Sequence, residues 1–260
     1  MNYTIYELLG FFFVYSFLGW CAEVVYAAFR HGKFVNRGFL LGPLCPIYGY
    51  GMIAVLYLTW PVIDKPALVF LISALACTVI EFIVGFCAEK LFHQQLWDYS
   101  NNPLNLGGYV CLGFSLIWGL GCLAAVYLVH PPVSRLLSHI PQGIGHIVVI
   151  VLTCCLLADL VITLFHALKI ESRMQAIDEL EKALRSVSDH IGENLYDGAE
   201  AIIEKVQGSE ELNEKYRELV ERRNIVHEHM FNAFSKLQTG KYRSAYEKIH
   251  KARHKTGLSD

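Results

Sequence analysis

Charge is nearly missing from the first two thirds of this chain. Of its 260 residues, 1–167 hold 6 of the 22 Lys+Arg and 7 of the 24 Asp+Glu. Cysteine is missing from the last third: all eight (Cys21, Cys45, Cys77, Cys87, Cys111, Cys122, Cys154, Cys155) lie in apolar stretches. Their placement excludes a secreted disulfide framework and paired-cysteine zinc spacing, and leaves them as small buried hydrophobes. The chain has no Gly-x-x-x-x-Gly-Lys-Ser/Thr loop, so it is not itself a P-loop ATPase. No Ser-His-Asp pattern, metal-ligand set or cofactor motif stands out, and no catalytic residue is assigned. His227 and His229 sit two apart, on different faces of a helix, which rules them out as a metal pair. A formal net charge of −2 gives no general affinity for nucleic acid. The N-terminal apolar run has no basic leader and exceeds the length of a cleaved signal peptide, so it is expected to be a retained first span.

Long hydrophobic runs take the place of charge. Apolar residues make up 54% of the chain, and five segments reach the roughly 20 residues that cross a bilayer. They are expected at about 5–29, 39–60, 67–92, 109–129 and 144–170, with Pro131 and Pro132 closing the fourth. The pattern predicts an all-α polytopic membrane bundle over residues 1–170, about five spans with one irregular or broken, and a cytoplasmic helical tail over 171–260. Trp60, Trp97, Tyr109 and Tyr127 fall near the expected span ends, where aromatic belts form.

The irregular span begins at Asn36-Arg37-Gly38 and runs through Gly42-Pro43, Pro46, Tyr48-Gly49 and Gly51. Proline removes a backbone donor and glycine loosens a helix. Backbone groups freed at membrane depth must find other partners, so this stretch reads as a broken or re-entrant helix lining a polar cavity. A close-packed helix crossing built on small residues is the plainer alternative.

Loop charges set an orientation. The first connection carries Arg30, Lys33 and Arg37, the second only Lys65 beside Asp64, the third Lys90, the fourth Arg135, and the tail the remaining sixteen basic residues. Excess Lys and Arg stay cytoplasmic, which predicts an outside N-terminus, an odd number of spans and a cytoplasmic C-terminus in a cell membrane. Glu23, Glu81, Glu89 and Asp159 then share the inner half of the bilayer, with Ser115 and Trp118 beside them. Intramembrane carboxylates are costly and normally face the bundle interior, a cation or a wet cavity. Arg37 is the nearest obvious counter-charge; a plain Glu–Arg strut between helices is the structural alternative.

The third connection, 92–108, mixes aromatics with turn formers, and Trp97, Asp98 and Tyr99 are placed to close the mouth of such a cavity. The fifth span has no stop signal and is expected to continue as helix to about His190. An amphipathic helix follows from Ser209, then a basic helix from Lys241 able to touch anionic headgroups.

These stretches resemble the CmpB-like, ABC-transporter type IV family of bacterial membrane proteins. The resemblance rests on Gly19-Trp20-Cys-Ala-Glu23-Val-Val-Tyr26, Asn36-Arg37-Gly38 with Gly42-Pro43, Pro46-Ile-Tyr48-Gly49 and Gly51, and Glu81 in its span. Leu96-Trp97-Asp98-Tyr99-Ser100, Asn105-x-x-Gly108 and Ser115-x-x-Trp118-Gly119 extend it. In the tail, His229 to Leu237 and Tyr242 fit the family's closing segment, with Ser235 where a proline is expected. The resemblance implies a transporter or permease subunit in contact with membrane lipid, its expected protein partner being either a second copy of itself in a homo-oligomer or a separate ATPase subunit. The candidate cavity residues are Glu23, Asn36, Arg37, Tyr48, Glu81, Trp97, Asp98, Tyr99, Asn105, Ser115 and Trp118. Two other functions stay open: a membrane enzyme acting on a lipid-linked substrate, and a scaffold or sensor whose tail binds a partner.

Overall fold

In the computed structural model the described residues are 3–31, 36, 38–92, 95–193 and 214–215. They fall into two units that divide between Phe165 and His166, and each is taken by itself. The candidate residues belong to the first.

Helix α1 spans Ile5–His31. Thr4 and Glu7 form a capping box at its start: the Glu7 amide donates to Thr4 Oγ1 at 3.3 Å, and the Thr4 amide donates to Glu7 Oε2 at 2.8 Å. Residues 38–43 then bend without forming helix, and α2 begins only at Pro46, running Pro46–Thr59. Proline at the first helical position loses nothing, because that amide has no partner inside the helix. Fourteen residues of helix span about 21 Å, short of the ~30 Å hydrocarbon layer. The irregular segment is therefore a broken span.

Helix α3 (Pro66–Phe92) leads through a short hairpin to α4. In that hairpin β1 (Asn105–Leu106) pairs antiparallel with β2 (Val110–Cys111), and Gly107 and Gly108 turn the chain at φ +62° and +76°. Helix α4 covers Leu112–Ala124, a π turn covers Ala125–Val129, and α5 continues over His130–Ser138. The expected stop at Pro131-Pro132 is thus corrected: one helical rod runs Leu112–Ser138. The His130 amide bonds back five residues to Ala125, and this widened turn absorbs the missing proline donors. Helix α6 spans Gln142–Glu193, close to the expected end at His190. Apart from Glu214 and Lys215, which are helical, the helices expected from Ser209 and Lys241 lie outside the described residues.

Among the described residues, four helices are long and apolar enough to cross a membrane: Ile5–Phe29, Pro66–Phe92, Leu112–Ser138 and Gln142–Lys169. Neighbours in sequence pack as neighbours in space, α1 on α2, α2 on α3 and α3 on α4. Phe11, Tyr15, Met52, Val55, Leu56, Val69 and Val126 form the interior. Large apolar side chains also face outward, among them Leu75, Val79 and Ile83 on α3 and Ile147, Ile150 and Val161 on α6. In water that much exposed apolar surface is a liability, whereas a bilayer accepts it. The molecule is an all-α, multi-pass membrane bundle.

Candidate functional site

Glu23 and Glu81 lie on different helices and are linked through aromatic side chains. The Tyr48 hydroxyl, in the first turn of α2, donates to Glu23 Oε1 at 2.6 Å. Gly19 makes this possible. It precedes Glu23 by one turn on the same face of α1, and a Cβ there would lie 2.3 Å from the Tyr48 ring. Across the bundle, the Tyr48 ring meets the Trp118 ring edge-on at 5.6 Å. Trp118 Nε1–H in turn donates to Glu81 Oε1 at 3.0 Å.

Glu81 takes a second donor on the same oxygen, the Tyr99 hydroxyl at 3.1 Å. Tyr99 is held by its ring, stacked on Phe114 at 4.5 Å, and by its amide, which donates to the Gly108 carbonyl. Burial first, and then the Glu81 carboxylate, push the Tyr99 phenol above its ordinary pKa, so it stays a neutral donor. Glu81 is 8% exposed, and its Oε2 is buried without a hydrogen-bond partner. A buried acceptor left unmet costs about 1–3 kcal/mol, so this oxygen, like the buried Ser16 and Ser73 hydroxyls, calls for an explanation.

One turn along the same faces, Thr78 donates to Ser115 at 2.7 Å and Ser115 donates to the Cys111 carbonyl at 3.1 Å. Further along the seam, Cys77 and Cys122 approach to 3.5 Å between sulfurs. The α3–α4 contact is therefore a polar ladder leading to Glu81.

The broken segment is held by a second carboxylate site. Leu41 and Gly42 amides donate to the two oxygens of Asp159 on α6, at 3.0 and 2.8 Å. Thr163 donates to the same carboxylate at 3.0 Å. A Cβ on residue 42 would sit 3.0 Å from Asp159 Oδ2, so the close approach requires glycine. Asn36 ties the segment from the other side: it accepts from Trp20 Nε1 and the Gly38 amide and donates to the Leu41 carbonyl. These bonds meet the demand of the freed backbone groups and fix the entry to Tyr48.

Of the predicted residues, Glu23, Tyr48, Glu81, Tyr99 and Trp118 form one linked set, and Ser115 lies one turn from it. Asn36 belongs to the adjoining loop clamp. Arg37 lies outside the described residues. Three others turn inward on their own loop. Trp97 donates to the Tyr109 carbonyl, Asp98 is exposed and accepts from the Ser100 amide, and Asn105 is exposed and closes the turn onto Ser100, Asn102 and Gly108. Asp159, Trp20 and Thr78 were not among the candidates; only Asp159 carried a signal, a carboxylate at the same depth.

A groove of about 350 Å³ between α2 and α3 is lined by Ala54, Leu58, Ile72, Leu75, Ala76, Val79 and Ile80. It is wholly apolar and includes none of the predicted residues. Among the described residues, no group of three or more His, Cys, Asp or Glu is placed to hold a metal ion.

Fold and polar interior together define a multi-pass helical membrane protein. The family model described as "Putative ABC-transporter type IV" matches residues 10–164, and the chain belongs to that family. The match ends before the tail, so the tail resemblance at 229–242 falls outside it. Comparison with curated proteins and with solved structures gives no match.

Proposed function

We propose that this chain is a transporter or permease subunit whose solute- or ion-binding site is the Glu23–Tyr48–Trp118–Glu81–Tyr99 set. The observation that carries the reading is Glu81: buried in an apolar span, with two donors on one oxygen and none on the other. A membrane carboxylate kept with spare accepting capacity fits a group that engages a passing solute. Loop charges favour a site open to the cytoplasm, with the N-terminus outside and the tail over 171–260 inside. Energising by ATP would require a separate subunit, because this sequence has no phosphate-binding loop.

The test uses proteoliposomes challenged with potassium, chloride, phosphate and methylammonium gradients, read by current and by an internal pH dye. A flux supported by the natural chain is expected to be lost in Glu81→Gln while the variant stays monodisperse and helical. Undiminished flux in that variant would sink the reading.

A further inference from the structure

Resting on that transport reading, we infer that the solute engaged by Glu81 is a small organic ammonium cation. Three features converge. First, Glu81 presents a buried oxygen with no partner, while its other oxygen is already saturated by Trp118 and Tyr99. Second, the two carboxylates are joined by aromatic groups that bond through their polar edges, Tyr48 to Glu23 and Trp118 and Tyr99 to Glu81. With their polar edges spent on the carboxylates, what these residues have left beside the acidic groups is aromatic ring, one face of Tyr99 being stacked on Phe114, and a weakly hydrated cation is attracted to ring faces. Third, the set suits a hard metal ion poorly. Calcium takes six to eight oxygens and magnesium a near-octahedral shell. Here the carboxylates are held apart by the Tyr48–Trp118 contact, and the Thr78 and Ser115 hydroxyls already bond each other.

An ammonium group provides what is missing: positive charge, and N–H or N–CH₃ surface that a carboxylate oxygen and aromatic faces share. It arrives either as a free amine or as the headgroup of an aminophospholipid. The chemistry is the same, and the experiment separates the sources.

Full-length protein in phosphatidylglycerol nanodiscs is titrated with methylammonium, tetramethylammonium and sodium chloride at constant ionic strength, with tryptophan fluorescence as the readout. A saturable response to the ammonium probes is expected, weakened about tenfold or more in Glu81→Gln and absent with sodium. Tyr99→Phe keeps the ring and should bind within about threefold, whereas Tyr99→Leu should lose about fivefold. These two variants keep the test decisive if Glu81→Gln proves unstable. Replacing the lipid with phosphatidylethanolamine identifies the headgroup as the source if it displaces the probes, and the free amine if it does not. Equal responses to sodium, or probe binding unaltered in Glu81→Gln and Tyr99→Leu, would overturn the inference. Absence of ammonium binding together with Glu81-dependent flux of another solute would overturn it while leaving the transport reading intact. Flux independent of Glu81 removes the transport reading instead.

Discussion

In one part of the first unit, Glu23 and Glu81 are held by phenol and indole donors, and one carboxylate oxygen is left over. Nearer the start of α1, His130 sits between two tyrosines, its Nε2 2.8 Å from the Tyr3 hydroxyl and its Nδ1 3.0 Å from the Tyr15 hydroxyl. Both regions bury a titratable side chain among aromatic rings; His130 is also 8% exposed and has Phe11 at 4.9 Å. They differ in spare capacity. A neutral imidazole has one donor and one acceptor, and two hydroxyls use both. That closed arrangement is a strut between the α1 and α5 regions. The Glu81 arrangement is open by one acceptor, which is the mark of a site.

The largest expected effect tests what holds the open region together. Asp159→Ala would leave the Leu41 and Gly42 amides without their acceptor, at about 1–3 kcal/mol each. The variant should melt well below the natural chain in detergent. It should also respond less to ammonium probes, because Tyr48 follows directly from the segment those amides anchor. Unchanged melting and binding would mean that the broken segment is fixed without α6, and the account of the clamp would fail.

His130→Phe keeps the aromatic bulk and removes both hydrogen bonds. It should cost about 1–3 kcal/mol of stability and leave ammonium binding and flux within about twofold. Loss of function greater than loss of stability would erase the contrast drawn between the two regions and make His130 part of the working machinery.

Sequence made the broken span readable because proline and glycine act locally. Pro46 opens a helix, where its missing amide has no partner to lose, so a break before it agrees with residue type. The common depth expected of Glu23 and Glu81 comes from the positions of the spans and the loop charges that orient them. The Asp159 clamp could not be read in this way. Its partners are backbone amides more than a hundred residues away, and amides carry no residue signature. Trp97 and Asp98 are expected with Tyr99 at a cavity mouth and Asn105 through the family resemblance, whereas Asp98 and Asn105, as short polar side chains in a tight loop, bond within that loop. Pro131 and Pro132 misled for a related reason. They signal a helix stop, yet the π turn just before them allows the rod to continue.

The smallest expected effect concerns the ladder between α3 and α4. Thr78→Val removes a hydroxyl of nearly equal shape, one turn from Glu81. The one Thr78 hydroxyl proton is shared between Ser115 Oγ and the Ala74 carbonyl; without it Ser115 keeps its own bond to the Cys111 carbonyl, and the Ala74 carbonyl remains a helical acceptor. Nothing buried is left wholly unmet, so the cost should stay near 0.5–1 kcal/mol, a small shift in melting temperature. Ammonium binding should be unchanged, since the hydroxyl pair faces itself. A marked loss of binding at unchanged stability would place Thr78 and Ser115 among the groups that meet the solute. The open region would then extend down the seam toward Cys77 and Cys122 instead of ending at Glu81.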